Sequence, residues 1–188
     1  FLHPADLVEE VALGFGYNNF EPKPPSVFTK GKLSPQTELQ DAAEEVFVGA
    51  GFLQVACHVT TNKTTAAKAM LGNELISITN PVSDEYSCVR NHLLPGVLDL
   101  LSKNTHAPYP QKVFEVGEVI EPDASAETKA STKLKACAAS SHASASLSEA
   151  ASVLAALVAK LGWKHELRPL DSRRFIDGRG ARIIVHKD

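Results

Sequence analysis

The chain has 188 residues, 44% of them apolar and 22% charged, with a formal net charge of −3. That length supports one good core, or one domain with a piece of another, and the composition is ordinary for a globular protein. The acidic balance excludes a broad basic footprint for nucleic acid, so any RNA contact is expected to be local or made mainly by a partner. No apolar run approaches the roughly 18 residues of a membrane span. The three cysteines, Cys57, Cys88 and Cys137, are odd in number and far apart. They have no metal-ligand spacing, which reads as buried thiols in a reducing, cytosolic compartment.

In chain order, Pro4 suits the first turn of a helix over residues 5–13, closed by Gly14 or Gly16. Glu21-Pro22-Lys23-Pro24-Pro25 cannot be helical and marks a domain boundary, separating residues 1–25 from a module over 26–188. Ser34-Pro35 starts the next helix, with the hydroxyl as cap and proline in the first turn; Gly51 ends it. Its inner stripe is Leu39, Ala43, Val46 and Ala50, which leaves Ala42 and Phe47 on a flank expected to face a partner. A strand follows over 52–59, a short helix over 64–70 and a strand over 75–78. A turn at 80–83 leads to a helix opened by Leu93-Leu94-Pro95.

The spacing then predicts a strand over 112–120, a polar hairpin tip over 121–132 and a returning strand over 133–140. Ser146-Leu147-Ser148-Glu149 fits a capping box for a helix striped by Ala150, Leu154, Leu157, Val158 and Leu161. Strands over 163–168 and 182–185 complete an α+β chain, with an antiparallel sheet and flanking helices. Phe1 is not an initiator methionine, and the final segment runs like a strand that stops at Asp188. The chain is therefore expected to be a piece of a longer protein.

Asp6, Glu9 and Glu10 share one face of the first helix, where like charges cost about 0.2–0.5 kcal/mol per pair. A hard cation such as Mg²⁺ would remove that penalty. Acidic residues in a first turn also complement the helix dipole, and the residues alone favour that simpler role. Arg90 reads as a structural ion pair ahead of a phosphate anchor. His58 and His92 lack a second ligand at metal spacing, and Cys88 has no neighbouring base to activate it. Arg173-Arg174-Phe175-Ile176-Asp177-Gly178-Arg179 is the one basic cluster. It suits nucleic-acid phosphates or an acidic partner face, and a solvated loop nearly as well. Gly178-Arg179-Gly180 lacks the strand-turn-helix context of a nucleotide loop.

The run Asn80-Pro81-Val82-Ser83-Asp84-Glu85-Tyr86-Ser87-Cys88-Val89-Arg90-Asn91-His92-Leu93-Leu94-Pro95-Gly96-Val97-Leu98, followed by Lys112-Val113-Phe114-Glu115-Val116-Gly117, resembles the β-subunit family of phenylalanyl-tRNA synthetases, archaeal/eukaryotic type. His3-Pro4-Ala5-Asp6-Leu7-Val8-Glu9-Glu10-Val11-Ala12 with Gly16-Tyr17-Asn18-Asn19 resembles the same family, in the same order. The resemblance implies a class II synthetase-like core preceded by the last helix of a neighbouring domain. Its implied partners are a catalytic α subunit, in an (αβ)₂ heterotetramer, and tRNA(Phe). ATP is the substrate of the whole enzyme, and Mg²⁺ is shared with the α subunit.

By resemblance, the Mg²⁺ site falls on Asp6, Glu9 and Glu10. The motif's first acidic member would precede Phe1, so the site is expected to be incomplete here. No catalytic or cofactor-binding residue is assigned. The catalytic pattern of Gly-x-hydrophobic-hydrophobic-Arg falls on Gly117-Glu118-Val119-Ile120-Glu121, with Glu121 where an arginine would clamp the α-phosphate. A carboxylate repels a triphosphate, which argues against the alternative of an independent ATP-dependent ligase. A stand-alone interaction module is the other alternative.

Overall fold

A computed structural model of the chain describes residues 1–71 and 74–186. Two compact units emerge, Phe1–Leu33 and Ser34–Asp188, the second ending on two residues outside the described set. In the first unit, α1 (Pro4–Phe15) is capped by His3, whose Nδ1 accepts from Ala5 N at 3.0 Å. Asp6 reciprocates by accepting from His3 N. Gly16, at φ 93°, closes the helix.

In the second unit, α2 (Pro35–Gly49) starts as the sequence dictates, with Thr37 N donating to the Ser34 hydroxyl at 3.1 Å. The centre of the fold is a long antiparallel hairpin, β5 (Gln111–Pro122) against β6 (Ala130–Ser141), in register from Gln111↔Ser141 to Pro122↔Ala130. Successive side chains alternate between its two faces. Phe114 and Val116 point to one face and join Ala43, Phe47 and Phe52 in the main core, edged by Leu134, Val153 and Leu157. That core is roofed by α2 and α5 (Leu147–Lys160), which Lys160 and Glu45 tie together at 2.8 Å. On the opposite face lies α4 (Leu94–Lys103), anchored by fully buried Val97.

Two expectations are corrected. Phe47 is not on a partner-facing flank: it is 4% exposed, stacked on Phe114 at 4.9 Å and edge-on to Phe52. Leu39 and Val48 carry the exposed apolar surface of α2 instead. The residue is inside because the helix is overlaid by α5 as well as the sheet, so the buried arc is wider than one stripe.

The strand expected over 52–59 is divided. Only β1 (Leu53–Gln54) pairs with β5, and it does so in parallel. A parallel neighbour needs a long crossover. Here the crossover holds β2 (Thr60–Thr61), α3 (Lys63–Lys68), β3 (Ile76–Ser77), β4 (Cys88–Val89) and α4. β4 lies between β2 and β3, antiparallel to both; strands this short leave no periodicity to read. A separate hairpin, β7 (Lys164–Pro169) with β8 (Ala181–His186), packs through β7 on α5.

Truncating Phe47→Ala empties the centre of the aromatic cluster and should cost about 3–5 kcal/mol. A clear fall in the thermal midpoint of the variant is the expected reading; an unchanged midpoint would return Phe47 to the surface.

Candidate functional site

The α4 face of the hairpin carries Glu115, Gly117, Val119 and Glu121. It holds a buried ion pair where a hydrophobic layer would be the cheaper filling. Arg90 is 8% exposed and Glu115 4%. Arg90 Nη1 meets Glu115 Oε1 at 2.6 Å and donates to the Cys57 carbonyl at 3.1 Å; Nε donates to the Glu118 carbonyl at 3.0 Å. Gly117 makes the approach possible, because a Cβ there would lie 2.8 Å from Arg90 Nη2. Among the described residues, Glu115 Oε2 is buried without a hydrogen-bond partner. Beside it the Cys57 thiol is pushed up to about 12, first by burial and then by the Glu115 carboxylate. Cys137, Glu115's partner across the hairpin, is pushed up to about 11 by the same two causes. Both remain thiols at neutral pH and neither is an activated nucleophile.

Farther along the same face, Glu121 takes Lys135 Nζ at 2.5 Å. That ammonium also donates to the Asn91 carbonyl at 3.0 Å and lies 3.5 Å from His92 Nδ1. The Lys135 hydrogen bond holds Glu121 below the usual carboxylate range. Burial, with the Lys135 charge beside it, holds His92 below the usual imidazole range. A neutral histidine and a paired carboxylate thus stand together on this face. A cleft of about 490 Å³ adjoins this region, lined among others by Arg90, Asn91, His92, Lys103 and Tyr86. His58 also lines it, edge-on to Tyr86 at 5.6 Å.

The remaining predicted residues scatter. Asp6 Oδ2 is engaged by Leu2 N at 2.8 Å and His3 N at 3.0 Å, while Glu9 and Glu10 are exposed. Among the described residues no three His, Cys, Asp or Glu side chains converge to hold a metal. The trio therefore supplies two available carboxylates and one spent on capping, and fits a cation only with ligands from elsewhere. Cys88 is buried, and Arg173 to Arg179 lie in the exposed β7–β8 connection.

Sequence reasoning missed the junction between β6 and α5. Glu149 does not reach back to complete a capping box. Its Oε1 takes Lys112 at 2.7 Å and the Ser140 hydroxyl at 3.2 Å, and its Oε2 takes His142 Nε2 at 2.8 Å. Lys112 first, then His142, pull Glu149 down to about 2. The available signal was the crowding of His142, Ser146 and Glu149 at a strand-to-helix turn; the Lys112 partner is visible only once the hairpin closes.

Residues 21–188 match the family described as the phenylalanyl tRNA synthetase beta chain CLM domain. The phenylalanine–tRNA ligase beta subunit of Pyrococcus horikoshii is 35% identical over 187 residues, covering 98% of this chain and 34% of that protein. The beta subunit of Archaeoglobus fulgidus is 34% identical, covering 98% of this chain and 33% of that protein. The chain thus spans about a third of the length of these curated relatives. Among solved structures, a pyrrolysyl tRNA synthetase from Desulfitobacterium hafniense superposes with a TM-score of 0.58 at 16% identity, over 81% of this chain and 53% of that one. That likeness establishes the class II synthetase fold. No helix among the described residues is long and apolar enough to cross a membrane.

Arg90→Met should destabilise the chain by about 3–5 kcal/mol, because it strands a buried carboxylate. The double variant Arg90→Met/Glu115→Leu should recover most of that loss in urea unfolding. A single-variant loss under about 1 kcal/mol would show that Glu115 does not depend on the guanidinium. For Glu149, the folded-state value lies below the unfolded one of about 4.3, so its stabilisation is present above that pH and fades as pH falls toward 2. Glu149→Gln should flatten the stability profile between about pH 5 and 2, and a profile as steep as wild type would contradict the assignment.

Proposed function

Because this chain belongs to the phenylalanyl-tRNA synthetase β-chain family, we propose that it is a non-catalytic class II-like module of phenylalanine–tRNA ligase that assembles with and braces the catalytic α subunit. The whole enzyme attaches phenylalanine to tRNA(Phe) with ATP and Mg²⁺, as an (αβ)₂ heterotetramer. In this module the residues over 26–188 form the class II-like body, and residues 1–25 are the end of the preceding domain with its linker.

One observation supports the reading: Glu121, which by the family resemblance falls where a catalytic class II subunit would carry its phosphate-clamping arginine, is already paired with Lys135. A clamp works by offering unpaired positive charge where phosphate charge develops. A paired carboxylate offers none. The face beneath it is closed as well, since Arg90 and Leu93 crowd Gly117 and Val119 is fully buried. What remains suited to a partner is outer surface, including Leu39 and Val48 on α2.

Asp6, Glu9 and Glu10 are read as the β side of the shared Mg²⁺ site. Glu9 and Glu10 are available for the ion, and the remaining ligands come from outside these three residues.

The chain, freed of host synthetases, should show no phenylalanine-dependent pyrophosphate exchange, and Glu121→Arg should not confer it. Measurable exchange by the chain itself would end the non-catalytic reading. In full-length β assembled with α, Glu9→Gln should raise the Mg²⁺ concentration needed for assembly or charging. A Mg²⁺ titration superimposable on wild type would remove Glu9 from the site.

A further inference from the structure

Five of the six arginines in this acidic chain, Arg168, Arg173, Arg174, Arg179 and Arg182, lie between positions 168 and 182. Residues 164–186 hold six Lys and Arg against three Asp and Glu, while the whole chain carries −3. The β7–β8 hairpin and its connection thus carry a local positive excess, and among the positive segments of the chain it is the arginine-rich one.

The connection is a built structure. Leu170 N donates to the Gly180 carbonyl at 2.9 Å and closes the loop. Inside it Phe175 N donates to Ser172 O at 3.0 Å and Arg179 N to Ile176 O at 2.9 Å. The Phe175 ring packs into the space that a side chain at 180 would occupy; a Cβ on Gly180 would lie 2.7 Å from Phe175 Cδ2 and 2.6 Å from the Leu170 carbonyl. The aromatic side chain thus packs against the loop's own backbone on one side while remaining 44% exposed. The arginines around it are left to the outside.

Their charge is poorly compensated. Arg168 and Arg182 are directly opposed across the β7–β8 ladder, a like-charge pairing that destabilises a hairpin. Glu166 offsets only Arg168, through contacts at 3.1 and 3.2 Å. Among the described residues Arg173, Arg179 and Arg182 make no ion pair. The Arg174 charge also reaches His92, adding to the burial and Lys135 charge that lower that imidazole's pKa against the opposing Glu121 charge.

We propose that the β7–β8 arginine loop docks the phosphate backbone of RNA, which in the enzyme proposed above is tRNA. The inference rests on that reading for the identity of the RNA. Planar guanidinium forks match phosphate oxygens. Several isolated arginines on one small loop are satisfied together by a polyanion, whereas an acidic protein face would have to match them carboxylate by carboxylate. A local patch on an acidic chain also orients the RNA, since repulsion by the rest of the surface disfavours other approaches.

The test uses full-length β assembled with α, a tRNA(Phe) transcript, and the variant Arg173→Ala/Arg179→Ala/Arg182→Ala. Each phosphate contact contributes about 0.7–0.9 to the slope of log affinity against log salt. The triple variant should therefore flatten that slope by about 2 and weaken binding roughly tenfold at moderate salt, with assembly unchanged by sedimentation. The matching lysine variant should restore most of the slope, because the term is largely charge. Arg173→Gln alone, at an exposed turn, should shift the slope by about 1 if the triple variant does not fold. Unchanged affinity and slope overturn the proposal. Loss of assembly with RNA binding intact overturns it in favour of an acidic protein face. Failure of wild-type β to assemble with α refutes the ligase reading, and the RNA measurement on β alone then still decides the loop.

Discussion

The Arg90–Glu115 pair is the constraint around which the second unit is arranged. A buried ion pair is a costly way to fill a sheet face, since desolvating both charges offsets much of their attraction. What it secures here is position. One guanidinium holds the Glu115 carboxylate, the Cys57 carbonyl and the Glu118 carbonyl. It thereby fixes the segment after β1, the start of α4 and the middle of β5 in one geometry. It also explains the division of the strand expected over 52–59: at Cys57 the backbone acceptor is taken by a side chain, and the chain turns away toward β2.

The hairpin accordingly has two unlike faces. The aromatic face is a conventional core, with Phe47, Phe52 and Phe114 under two helices. The other face is filled with Arg90, Leu93 and the Glu121–Lys135 pair. Arg90, Glu115 (through Oε1), Glu121 and Lys135 on that face each have a protein partner. A sheet face filled by paired charges is suited to holding other parts in place, which is the role proposed for this module.

The ends of the hairpin are tied down separately. Lys112, His142 and Ser140 converge on Glu149, joining β5, the end of β6 and the first turn of α5 through one carboxylate. That knot replaces the local capping box with a tertiary one. It fixes the roof helix to the sheet while its own first turn keeps the Ser146 cap.

Much of this chain was legible before folding was considered. Helix starts at Pro4, Ser34 and Ser146 are local chemistry, set by a cap side chain and a proline or polar turn within a few residues. The long strand beginning near Lys112 and the polar tip beyond Glu121 follow from alternation and composition. The family followed from residue order in two motifs. The sequence could not show that Phe47 faces inward, because the width of a helix's buried arc depends on how many layers cover it. Nor could it show the parallel pairing of β1, which depends on where a long crossover returns. It raised a structural role for Arg90, but the partner, Glu115, is 25 residues away in sequence and is brought close only by the crossover. Local signals act over a turn of helix or a pair of residues; contacts across a sheet face are decided by tertiary packing, and in this chain the charged groups of that face find their partners there.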